Sequence, residues 1–158
     1  MPNNINYTLN QLIEEFKGYQ ETNGFINDFG YGQVYDISRS KPSQYPLMWV
    51  THTQPSRVDI QNRVVMPRQQ FTFLFLDQIS QIDNTLDENG FDSNNIREII
   101  SDQLQWAMAF ITYLMQLNYI VLGDIRYDVV QNETKDRLYG IRLDVEMEIK
   151  RFNCVIPQ

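Results

Sequence analysis

The sequence predicts an α+β fold in which helices pack on a largely antiparallel sheet, in the order α-β-β-β-α-β-β. Three observations carry that reading. From Tyr139 to Phe152, Ile141, Leu143, Val145, Met147 and Ile149 alternate with Arg142, Asp144, Glu146, Glu148 and Lys150, the period of a strand with one dry and one charged face. Ile96, Ile99, Ile100, Leu104, Ala107, Phe110, Ile111, Leu114 and Met115 recur at helical spacing over about six turns, which marks a core helix lying across the sheet. Phe71 to Asp77 is a dense run of strand formers, apolar enough to be central.

The remaining elements follow in order. Thr8 is placed to cap a short amphipathic helix, with Leu9, Leu12, Ile13, Phe16 and Tyr19 on one face and Asn23-Gly24 as its stop. Phe25 to Pro46 carries turn residues and scattered aromatics, so it reads as a loop or weak strand that still packs. Tyr45 to Thr51 is a compact strand candidate, and Val58, Ile60, Val64 and Val65 suggest another, closed by Pro67. Asp83 to Asn94 is an acidic, turn-rich loop, after which Asn95 and Glu98 offer an Asn-x-x-Glu capping box for the long helix, with Asn118 as its stop. Ile125 to Glu133 pairs antiparallel with Tyr139 to Phe152 across the polar turn Thr134 to Leu138. Residues 1–158 form a single domain of a size that buries roughly 68–70% of its unfolded surface.

Composition narrows the function. A net charge of −7 and a pI of about 4.6 argue against a general phosphate-gripping surface, which needs Lys and Arg. Cys154 is the single cysteine and forms no internal disulfide. The start, Met1-Pro2-Asn3-Asn4-Ile5, lacks the basic and apolar regions of a secretion signal. Trp106 to Leu122 is interrupted by Thr112, Gln116 and Asn118, short of the roughly 18 uninterrupted apolar residues of a membrane span.

No catalytic, metal-binding or cofactor-binding residues are expected. His52 is the single histidine, without the second ligand or thiol that a zinc site or nucleophile–base pair requires, and reads as a polar residue at a strand end. Asp28-Phe29-Gly30 matches a kinase tripeptide, yet the Gly-rich ATP loop and catalytic loop are absent, so a turn is expected there. In the acidic loop, aligning Gly90 with the sixth position of an EF-hand puts Thr85 first and Ile96 twelfth, losing two principal calcium ligands. Asp144 and Glu146 share a strand face with Arg142 and Lys150, a pattern suited to cross-strand or intersubunit ion pairs rather than to an acid/base pair.

Charge is distributed unevenly along the chain. Residues 39–68 hold Arg39, Lys41, Arg57, Arg63 and Arg68 against Asp59, a net of +4, whereas residues 69–106 carry seven acids against Arg97, a net of −6. Complementary stretches of this kind suit heterologous contact between copies, with pairing inside one chain as the alternative. The prolines Pro42, Pro46, Pro55 and Pro67 make 39–68 a poor central strand and favour a basic arm or loop. The candidate interface residues are Arg57, Arg63, Arg68, Arg142, Asp144, Glu146 and Glu148.

The segments Phe71–Asp77, Asn95–Leu117 and Tyr139–Phe152, with Gly140-Ile141-Arg142-Leu143-Asp144-Val145 inside the last, give an element order that resembles the tail-terminator and tail-completion proteins of tailed bacteriophages. The resemblance implies a non-catalytic ring of identical subunits in the virion neck or tail, made in the host cytoplasm. Such a ring joins portal and tail proteins or caps the tail tube, and double-stranded DNA passes through its bore without tight binding. The abundance of Asn, Gln, Tyr and Ile suits an AT-rich genome of the crAss-like kind. Acids repel passing phosphate, which makes Asp83, Asp87 and Glu88 the bore-lining candidates. The rival reading is a monomeric protein-binding adaptor that holds a partner on the sheet face or the basic arm.

Overall fold

The computed structural model of the protein describes residues 8–37, 44–61, 64–79, 95–131 and 137–150. Helix α1 spans Leu9–Asn23, strand β1 Asp28–Tyr31, β2 Leu47–Gln61, β3 Val64–Gln78, helix α2 Ile96–Gln116, β4 Ile120–Gln131 and β5 Leu138–Ile149. The class and the element order are those read from the sequence. The strands form one sheet in the order β1-β2-β3-β5-β4, with β1 parallel to β2 and every other pair antiparallel.

Both helices cover one face of this sheet. In α1, the Thr8 hydroxyl accepts from the Gln11 amide while the Gln11 side chain accepts from the Thr8 amide, and left-handed Gly24 ends the helix. Leu12 and Phe16 are buried. The Phe16 ring lies edge-on to Phe71, Phe73 and Phe110 at 5.5, 5.0 and 5.8 Å, so α1, β3 and α2 share one aromatic core. Helix α2 packs on β5, β3 and β4, burying Ala107, Phe110 and Leu114. Phe73 and Phe75 meet this face, with centroids 4.7 and 5.9 Å from Phe110. The Tyr113 hydroxyl donates to Glu15, tying the two helices together.

The opposite face is divided. At one end Leu47, Trp49, Leu74, Leu76, Val130 and Leu138 form a second apolar cluster with Ile37 and Tyr45. The Trp49 indole donates to the Gly32 carbonyl at 3.2 Å and lies against Gly30, where an added Cβ would come within 2.2 Å of the ring. Only glycine tolerates that approach, and Asp28-Phe29-Gly30 is accordingly strand β1 rather than the expected turn.

Several boundaries differ from the sequence reading, each for a physical reason. The strand expected around Val58 to Val65 is divided between two long strands, with Gln61 paired to Val64. The basic stretch is therefore β-hairpin from Leu47 onward, not loop. Its prolines are accommodated because Pro55 falls in the register shift between Thr53 and Arg57, and Pro67 lies before Arg68, where pairing with β5 begins. His52 sits within β2, stacked on Phe71 at 4.8 Å, and not at a strand end. Asn95 adopts a left-handed conformation and its side chain makes no cap bond, so the Asn-x-x-Glu box does not form. Strand β4 begins at Ile120 rather than Ile125 because a register shift between Leu122 and Ile125 absorbs an extra residue. Leu138 opens β5 instead of closing the turn. Cys154 and the acidic loop from Asp83 to Asn94 lie outside the described residues.

Candidate functional site

The charged half of the open sheet face is built by register. Antiparallel pairing places Arg68 opposite Glu148, Gln70 opposite Glu146, Thr72 opposite Asp144 and Leu74 opposite Arg142. Because β5 alternates strictly, its odd-numbered residues from Ile141 to Ile149 are buried under the helices, and Arg142, Asp144, Glu146 and Glu148 form a row on the other side. The irregularity in β2 after Thr53 then brings Arg57 opposite Arg68.

Two arginines facing each other would repel, and three carboxylates offset that repulsion. Arg68 Nε lies 2.6 Å from Asp59 and 3.1 Å from Glu148, while Nη1 is 2.9 Å from Glu146. Arg57 reaches Glu146 at 3.5 Å and Asp59 at 3.9 Å. The hydrogen bond to Glu146 is the largest influence on the Arg68 guanidinium; desolvation opposes it, and the fields of Asp59, Glu148 and Glu146 add to it, so that the group is held above its usual pKa. One step along the row, Arg142 Nε pairs with Asp144 at 3.2 Å, whose Oδ1 also accepts from the Thr72 hydroxyl. The network ties β2, β3 and β5 together.

Shallow cavities flank Glu146. One of about 140 Å³ is lined by Arg57, Arg68, Gln69, Gln70 and Glu146. Another of about 240 Å³ is lined by Gln70, Asp124, Arg126, Asp144 and Glu146. In the first, the Arg57 and Arg68 guanidinium groups are directed at Glu146, an arrangement that clamps strands. Among the described residues, no three His, Cys, Asp or Glu side chains come together as a metal-holding group, and no helix is long and apolar enough to cross a membrane.

The structure thus gathers Arg57, Arg68, Glu146 and Glu148 into one cluster and places Arg142 with Asp144 beside it. Arg63, Asp83, Asp87 and Glu88 lie outside the residues whose side chains are described. The arginines expected to face acids of another copy face β5 acids and Asp59 of their own chain, because the long hairpin carries them alongside β5. The sequence reading missed that Asp59 and Thr72 belong to the network. A local signal exists for Asp59, which is two residues from Arg57 on one strand, whereas Thr72 joins only through the pairing that sets it opposite Asp144.

Away from this face, burial and then Asp102 push the Asp77 carboxyl above the ordinary range, against a lowering bond from the Gln78 amide. Comparison of the chain with known protein-family models and with curated proteins found no match.

Proposed function

We propose that this chain is a structural virion subunit that assembles with copies of itself into a ring in the neck or tail of a bacteriophage. The ring joins portal and tail proteins or caps the tail tube, and DNA passes through its bore. The observation that carries this reading is the β2–β3 hairpin. Four register pairs, from Val58 with Pro67 to Gln61 with Val64, extend beyond Arg68, the last β3 residue paired with β5. On that extension Val58 and Ile60 are 59% and 72% exposed. A two-stranded ribbon is marginal by itself in water, and apolar side chains along it gain when another surface covers them. An assembling subunit supplies such a surface.

The α+β class and the element order, which underlie the resemblance to tail-terminator and tail-completion proteins, support the same reading. The test is mass spectrometry of purified particles combined with the density of the assembled neck. A fixed, multiple copy number per particle in a ring-shaped density is expected. Absence from particles, together with capture of a cellular protein at one-to-one stoichiometry, would establish the adaptor instead.

A further inference from the structure

The sheet ends in two free edges among the described residues. Strand β4 is terminal and pairs only with β5. On the other side β1 covers β2 only from Leu47 to Val50, which leaves β2 from Thr51 to Gln61 without a strand on its outer side. Long unpaired edges are templates for pairing with another chain.

We infer that copies of this chain join head to tail by antiparallel pairing of the free part of β2 in one copy with β4 in the next, Arg57 opposite Asp128 and Asp59 opposite Arg126. The inference rests on the ring reading and names the contact that builds the ring. Three independent features of the two edges agree with it.

The first is direction. Through the order β2-β3-β5-β4, with every neighbour antiparallel, β2 and β4 run oppositely. When one sheet continues into the next without turning over, β4 therefore meets the following β2 antiparallel, in the ladder that is slightly more stable per residue.

The second is the distribution of apolar side chains. Val58 pairs with Pro67 and Ile60 with Val65, which places both on the helix-covered side of the sheet, in phase with Phe71. Tyr127 and Val129 pair with Leu143 and Ile141 and lie on that same side. All four are exposed, Tyr127 by 54% and Val129 by 46%. A continuous sheet sets Val58 beside Tyr127 on a face that neither copy covers alone.

The third is charge. Arg57 and Asp59 lie on the open face of β2, and Arg126 and Asp128, opposite Asp144 and Arg142, lie on the open face of β4. Arg126 and Asp128 are exposed and make no ion pair among the described residues. The register with Arg57 opposite Asp128 sets Asp59 opposite Arg126 and matches both signs. Sliding β4 by two residues would set Asp59 against Asp128. Like charges directly opposite are unfavourable, which selects the first register. A contact between two different edges is heterologous and closes into a ring when the rotation per subunit permits.

The experiment uses the full chain and two edge-blocked variants, Val58→Lys/Ile60→Lys on β2 and Tyr127→Lys/Val129→Lys on β4, all at exposed positions. Their folding is checked by far-UV circular dichroism, and their mass is followed by sedimentation from micromolar to millimolar concentration. Wild type is expected to self-associate. Each variant alone should remain monomeric, and an equimolar mixture should give a one-to-one dimer, because the mixture retains one sound β2 edge and one sound β4 edge. Asp128→Arg should weaken association up to about tenfold. Dimers of one variant alone would show pairing of like edges and overturn the inference. Undiminished association of both variants would overturn it while leaving a ring built by another surface. A wild-type monomer at millimolar concentration would overturn the edge contact, whereas presence in particles is decided separately by their mass spectra.

Discussion

Replacing Phe73 with alanine is the most direct test of the core. Phe73 is fully buried, with ring centroids 4.7 Å from Phe110, 5.0 Å from Phe16 and 6.0 Å from Phe71. Those neighbours come from α2, α1 and β3, so the void left by the ring cannot close by moving one side chain. Loss of transfer free energy plus a residual cavity costs roughly 3–5 kcal/mol for Phe→Ala. Each aromatic pair adds about 0.5–1.5 kcal/mol beyond area burial, which puts this site toward the upper part of that range. In a domain of this length 1 kcal/mol moves Tm by about 2–4 °C, so a fall of roughly 8–20 °C is expected. Urea titration followed by far-UV circular dichroism measures the change, with an unaltered m-value showing that stability and not the extent of unfolding has shifted. Phe25→Ala is the control: Phe25 is 64% exposed and stacks on Trp106 at 6.0 Å, and its loss should stay below about 1 kcal/mol. A Phe73→Ala loss below about 1 kcal/mol, or one equal to that of the control, would refute the placement of β3 under both helices.

Four further outcomes are expected. Gln103 is 1% exposed, and among the described residues neither its amide oxygen nor its amide nitrogen has a hydrogen-bond partner, so Gln103→Leu should raise stability by about 1–3 kcal/mol in urea titration; a loss would show the amide engaged in solution. The folded-state pKa of Asp77 is raised, so the native state holds this proton more tightly, and the stability the group contributes below the unfolded carboxyl range is lost as pH rises through its folded value. Asp77→Asn should therefore stabilise at pH 7 and show little gain near pH 3; an equal gain at both would remove the ionisation argument. Arg68→Glu puts a fourth acid among Asp59, Glu146 and Glu148 and should destabilise the isolated chain, with the loss diminishing as salt rises; a salt-independent loss would point to packing instead. Reversing Arg57 together with Arg68 is likewise expected to weaken the isolated fold, because both pair with Glu146. With a net charge of −7 and Arg57 and Arg68 directed at carboxylates, the purified protein should show no appreciable binding to double-stranded DNA at physiological salt; a salt-sensitive micromolar affinity would assign it a DNA-gripping role.

The sequence by itself determined the α+β class, the positions of both helices, the Thr8 cap and the alternation of β5, because these depend on period and local chemistry that neighbouring residues carry alone; on α2 it set Met115 in the apolar face, where the structure leaves it 70% exposed. It also held the partition of β5 into buried Ile141 to Ile149 and polar Arg142 to Glu148. Register was beyond it. Whether Arg68 meets Glu148 of its own chain or an acid of another copy depends on which strands are neighbours and on the two irregularities after Thr53 and Leu122, and no local pattern encodes either. The same holds for β1, whose glycine is required by the Trp49 ring of a strand distant in sequence, and for the length of the hairpin, where Pro55 and Pro67 read as breaks until the bulge and the missing β5 partner remove the demand for their amides. Long-range pairing decides these features because a strand's hydrogen bonds lie outside the strand, whereas a helix contains its own.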